Sequence, residues 1–184
     1  MLLYHAGFEY IRQPDVHYGR KNADFGQGFY LTAEEEFAHR WAKLRKDQKT
    51  IVNVYELEVA NLCVHTFQRD AAWFQYIYGN RHGKADALEA DVVIGPIAND
   101  TIYDTLGIIT SGFLSPEESM ELLMIGPTYQ QITLKSERAV QQLRWLRGDV
   151  LTEAEVASYR QQVEAEQTTY QKLFAARLEE LTEG

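Results

Sequence analysis

Asp24 to Thr32 reads DFGQGFYLT, two glycines around a single residue followed directly by an aromatic pair. Gly26 and Gly28 lack a β-carbon, so the backbone there can turn sharply or lie against something flat. A loop of this kind sets the Tyr30 ring on the wall of a cleft. The same pattern also fits a Gly-rich β-turn whose tyrosine is simply core. Just ahead of it, Tyr18-Gly19-Arg20-Lys21-Asn22 carries the densest positive charge of the N-terminal third.

The elements around this loop follow from periodicity. Met1 to Ala6 (MLLYHA) predicts a short apolar strand carrying His5 near its end. Phe29, Tyr30 and Leu31 begin a second strand. Thr32 with Glu35 predicts a capping box opening a helix from Ala33 to about Lys46, with Phe37, Ala38, Trp41 and Leu44 on one face. Thr50 to Val59 alternates as a strand, and Asp70 to Asn80 predicts a helix stopped by Gly79. Asp91 to Gly95 predicts a buried strand, and Asn99 to Leu106 a cap with a short helix. Ser115-Pro116-Glu117-Glu118 has the cap, proline and glutamate of a helix start. Tyr129 to Leu134 predicts a strand and Glu137 to Leu146 a helix. Thr152 with Glu155 opens a last helix to about Leu181. Its apolar stripe, Val156, Tyr159, Val163, Tyr170, Phe174, Leu178 and Leu181, either packs across the domain or serves another chain. Strands and helices mix without strict alternation, which predicts an α+β fold.

At 184 residues, 45% hydrophobic and 24% charged, the composition is that of one soluble globular domain with an appendage. No apolar run reaches the length of a membrane span, and the N-terminus lacks a basic leader, so no membrane association and a cytoplasmic location are expected. Net charge is -9, which argues against loose, sequence-independent binding to nucleic acid. Eight acids against three bases lie from Gly148 onward, so much of the acidity belongs to the tail. The single cysteine, Cys63, excludes an intrachain disulfide and reads as a small buried group.

LYHAG at the N-terminus, DFGQGFYLT, and YQQITL near the end of the domain together resemble the ADP-ribosyltransferase superfamily, and more closely its bacterial DUF3990-type branch. VNVYELEV, the Asn80-Arg81 pair and VVIGPIANDTIYDTL look like that branch too. The resemblance covers roughly residues 1–147 and implies a split β-sheet ADP-ribosyltransferase-like fold, with residues 148–184 as a C-terminal amphipathic helix. It implies an NAD⁺ molecule, consumed as substrate, in a cleft of that sheet, with no metal. Carried over residue by residue, His5 binds the nicotinamide-side ribose and Tyr30 stacks on the nicotinamide. The third position falls at the head of the strand ITL, on Gln131, with Gln130 as its competitor, since alternation lets only one face the cleft.

The chemistry suits those residue types. Breaking the nicotinamide–ribose bond leaves an oxocarbenium-like sugar, so the site must hold the ribose, pin the leaving ring and shield the cation. A neutral His5 can donate one hydrogen bond and accept another, which suits a vicinal diol. The Tyr30 ring offers a cation–π contact of about 1 kcal/mol to a pyridinium. Backbone at Ala6 and Gly7 would hold the carboxamide, provided the Ala6 methyl points away from the pocket. Gly28 belongs to the loop that receives the dinucleotide. Arg20 and Asp24 flank it, placed either for the pyrophosphate and a ribose or loop amide, or as surface ion pairs.

Glutamine in place of the family acid adds no negative charge and cannot act as a base. That lowers the expectation of polymer building and leaves mono-ADP-ribosyl transfer, slow NAD⁺ hydrolysis, or NAD⁺ binding without turnover. By resemblance, small bacterial members act as toxins paired with an antitoxin, so the partners implied are a protein or nucleic-acid acceptor and, along the C-terminal helix, an antitoxin or a second copy. A scaffold built on Thr152 to Leu181 is the remaining reading. Glu35 and His39 lie one helical turn apart, but no second His or Cys pair supports a metal, and a solvated helix face accounts for them.

Overall fold

The computed structural model describes residues 1–98, 114–126 and 128–183. Among the described residues, seven strands form two sheets. The first has the order β1-β3-β7, built from Leu2–Gly7, Thr50–Leu57 and Leu143–Leu151, all antiparallel. The second has the order β2-β6-β5-β4, from Phe29–Leu31, Gln130–Leu134, Val92–Pro96 and Val64–Thr66, antiparallel except for the parallel pair β4–β5. A two-way backbone bridge between Tyr4 and Thr32, at 2.8 and 3.0 Å, ties β1 to the end of β2. The fold is therefore α+β, with two sheets and a long C-terminal helix.

Alternation along the strands builds the core. Leu3, Tyr55, Leu57 and Leu143 from the first sheet meet Phe29, Leu31, Ile132, Leu134 and Val92 from the second in one buried cluster. The outer face of the first sheet buries Tyr4, Val52 and Val54 with Ala38 of helix α1, Glu35–Arg40. The outer face of the second is closed by Phe25 and by Trp73 and Ile77 of α2, Ala71–Arg81. Asp70 caps α2 by accepting from the Trp73 amide at 2.9 Å, and Gly79 lies inside the helix rather than ending it.

Helix α3, Pro116–Leu123, has the complete capping box expected of Ser115 and Glu118. The last helix, α5, runs Glu153–Glu183 from the Thr152–Glu155 box. Its stripe packs within the same chain. Val156, Tyr170 and Phe174 are buried, the last two against Leu114 and Leu122. Arg40 of α1 pairs with Glu166, and Tyr159 meets the His39 ring nitrogen at 2.9 Å.

Several expectations need correction. The helix from Ala33 to Lys46 shrinks to α1, because Thr32 belongs to the sheet: its hydroxyl donates to the Gln130 carbonyl and accepts from the Glu34 amide, so no box with Glu35 forms. The chain then turns back toward β3, with Thr50 Oγ1 bonding the Lys43 carbonyl at 2.7 Å. Glu137 to Leu146 is not one helix but a short α4, Glu137–Gln141, followed by β7. β3 needs a second edge partner, and its pairing overrides local helical propensity. The expected division at 147/148 thus falls inside β7. Cys63 is exposed, not buried, and His39 faces α5 rather than solvent. The cap and helix expected from Asn99 to Leu106 lie outside the described residues.

Candidate functional site

The strands place the predicted residues around the seam where β1 meets β2. His5 stands opposite Asn53 on β3 and rests on the Phe29 ring, centroids 4.7 Å apart. Its Nδ1 lies 2.7 Å from the Tyr30 carbonyl. A carbonyl only accepts, so Nδ1 carries the proton of the neutral imidazole and Nε2 keeps its lone pair. Burial pushes the His5 pKa below its ordinary value, partly offset by that carbonyl. The ring is thus a neutral acceptor through Nε2, with its donor already committed. That corrects the donor-and-acceptor role expected for it. Ala6 packs on the opposite face with Tyr4 and Val52, so its methyl does point away from His5. Gly7 lies on the His5 side, where a β-carbon would sit 3.6 Å from Nε2.

Tyr30 alternates to the other face of β2 from Phe29 and stands half-buried beside the cluster around Phe25. Its hydroxyl donates to the Gly26 carbonyl at 2.7 Å and accepts from the Phe25 amide at 2.9 Å. Burial raises its pKa, with the Asp24 charge adding to the effect. The phenol end therefore closes the glycine loop, and only the ring remains for a ligand. Gly26 has φ of 71°, a left-handed turn that favours glycine. Gly28 lies against β6, where a β-carbon would come within 2.6 Å of the Leu134 carbonyl. Its flat face is met by this chain's own backbone.

The two neighbouring glutamines separate as alternation requires. Gln130 is exposed and Gln131 is 4% exposed. The Gln131 amide nitrogen donates to Asp24 Oδ2 at 3.1 Å. Asp24 is itself buried. Its Oδ1 accepts from Arg81 Nε and Nη2 at 2.9 and 2.5 Å, and its carbonyl accepts from Asn80 Nδ2 at 3.1 Å. Asn80 and Arg81 are the C-terminal residues of α2, so the pair faces the site rather than turning the chain. Asp24 is thus an internal strut between α2 and β6. Arg20, by contrast, is exposed.

Two contributors escaped the sequence reading. Lys135, the residue after β6, bonds the Phe25 carbonyl and lies 2.8 Å from Asp86, gripping the base of the loop. Burial raises the Asp86 carboxyl, but hydrogen bonds from Lys135, the Leu88 amide and Tyr76, with the Lys135 charge, together outweigh it and hold the pKa low. Asn53 accepts from the Ile11 amide and Trp145 Nε1, each at 3.0 Å, and donates to the Glu9 carbonyl at 2.9 Å. It anchors the segment after β1. The alternation of TIVNVYEL puts Asn53 on the His5 face; its partners were not readable.

Among the described residues, no cluster of His, Cys, Asp and Glu has metal-binding geometry, and no helix is long and apolar enough to cross a membrane. Along the seam stand a neutral imidazole acceptor on the Phe29 face of β2 and, on the opposite face, a fixed aromatic ring and an amide oriented by a carboxylate. Such a site hydrogen-bonds and stacks; it does not hold a lone buried charge. The class is a two-sheet α+β protein with a polar seam. Residues 1–145 match the family described as protein of unknown function (DUF3990), and the chain belongs to that family. A comparison with curated proteins finds no match.

Proposed function

We propose that the protein is an NAD⁺-dependent mono-ADP-ribosyltransferase of ADP-ribosyltransferase-like fold. The observation that carries this reading is the 2.7 Å contact between His5 Nδ1 and the Tyr30 carbonyl, which joins the two strands that the resemblance singles out. Gln131 follows on β6, the strand paired to β2. His5 Nε2 accepts from a ribose hydroxyl, Tyr30 stacks on the nicotinamide, and exposed Arg20 takes the pyrophosphate. The C–N bond to the ribose breaks with its electron pair leaving on nicotinamide. An acceptor oxygen or nitrogen then attacks the sugar and gives up its proton. Without a carboxylate at position 131 the oxocarbenium is shielded by dipoles alone, which fits single transfer better than chain building. The reading extends to a cytoplasmic toxin acting on a protein or nucleic acid and restrained by an antitoxin.

Incubation with labelled NAD⁺ and cell lysate tests it. Nicotinamide release with a labelled acceptor, both lost in His5→Ala, is expected; neither signal appearing overturns it.

A second reading is a non-catalytic NAD⁺-binding module, favoured by the Gln131 amide being tied to the Asp24–Arg81 pair. Calorimetry showing NAD⁺ binding without nicotinamide release would select it.

A further inference from the structure

Beyond the C-terminal end of α1, two cavities of about 420 and 400 Å³ meet at Leu44. One runs between the Leu44–Thr50 segment and the end of β7, the other between the end of α1 and the first turns of α5. Their floor is apolar. Leu44 is 49% and Val150 45% exposed, half-buried Val163 continues the strip along α5, and buried Val156 underlies it. Their rim is cationic. Lys43, Lys46 and Lys49 have no carboxylate within ion-pair distance among the described residues, and Arg45 lies 4.3 Å over the Phe8 ring. Arg40 and Arg160 also line it, each paired with a glutamate. Glu153 is the acid in the lining, and Asp47 sits in the adjoining turn. This concentration of free cations stands on a chain of net charge -9.

From that groove we infer a docking site for an acidic amphipathic helix of a partner protein. An apolar floor takes the hydrophobic stripe of such a helix, and the lysines meet carboxylates along its flanks. Nucleic acid fits less well. No aromatic side chain lines either cavity to stack a base, and the protein's overall charge opposes a polyphosphate. A second copy offers a poorer fit, because Tyr170 and Phe174 of its α5 stripe are already buried in its own chain. The inference uses none of the seam residues and stands apart from the proposed transferase activity.

The test is fluorescence anisotropy on the full chain. The probe is a labelled helical peptide with leucines at i, i+3, i+4 and i+7 and glutamates on its flanks; the controls are its glutamine counterpart and a single-stranded oligonucleotide. The acidic peptide should bind about tenfold tighter than the glutamine one and weaken with added salt. Binding should fall about tenfold in Lys43→Glu/Lys46→Glu/Lys49→Glu, and likewise in Leu44→Asp, with melting temperatures unchanged. Equal affinity for both peptides, full binding by the charge-reversed variant, or tighter oligonucleotide binding through the same lysines would overturn the assignment.

Discussion

The Gln131 amide nitrogen lies 3.1 Å from Asp24 Oδ2 while Arg81 occupies the other carboxylate oxygen. A carboxylate accepts only, so this contact turns the Gln131 carbonyl oxygen outward from the pair. Position 131 therefore holds a neutral amide because a carboxylate already stands beside it.

Gln131→Glu consequently sets two buried carboxylates within hydrogen-bond distance. We expect it to destabilise the fold by about 2 kcal/mol at neutral pH, and by less as acidification protonates the introduced carboxyl. Chemical denaturation from pH 5 to 8 measures this, and Asp24→Asn/Gln131→Glu should recover most of the loss. A single variant as stable as the parent at every pH would contradict the geometry.

Burial of His5 makes stability depend on acid. Its folded pKa lies below the unfolded value, so the contribution of the neutral imidazole is complete above about pH 6.5 and is lost as pH falls through the lower folded value. Parent and His5→Gln melts should diverge above pH 6.5 and converge below it. NAD⁺ affinity should fall over the same acid range, because protonating Nε2 removes the acceptor.

Tyr30 has separable ends. Tyr30→Phe leaves the Gly26 carbonyl and the Phe25 amide without their hydroxyl and should cost about 1–2 kcal/mol of stability. Because the ring survives, NAD⁺ affinity should change by less than threefold, equivalent to under about 1 kcal/mol. Tyr30→Ala should lose more of both. Paired melts and calorimetry distinguish the two.

Removal of residues 153–184 should not yield a well-behaved truncate. It strips Tyr170 and Phe174 from their cluster, uncovers Leu114 and Leu122, and removes the buried Val156. Sizing chromatography should show aggregation, with a lowered melting temperature. A monomeric truncate with parental stability would mean that α5 contributes nothing to the domain.

Elements with local signals were legible in the sequence. Two of the three expected capping boxes, at Ser115 and Thr152, stand where their residue types put them, while Thr32 is taken by the sheet; period-two alternation separated buried Gln131 from exposed Gln130. Pairings over long separations were not legible. β7 reads locally as a continuation of a helix, and its pairing with β3 across the sheet, with Trp145 Nε1 donating to Asn53, requires it to be extended. The site was half legible. The strands bearing His5 and Tyr30 were found, but the donor taken by a neighbouring carbonyl and the hydroxyl taken by the loop belong to tertiary structure.

The strand partnerships also set a timetable for biosynthesis. β2, with Tyr30, takes its neighbour from residues 130–134, and β3, opposite His5, completes its sheet only with residues 143–151. A ribosome delivering the chain from its N-terminus supplies those partners well after β1, β2 and β3, so the seam cannot be assembled on a nascent chain before residues 130–151 have emerged.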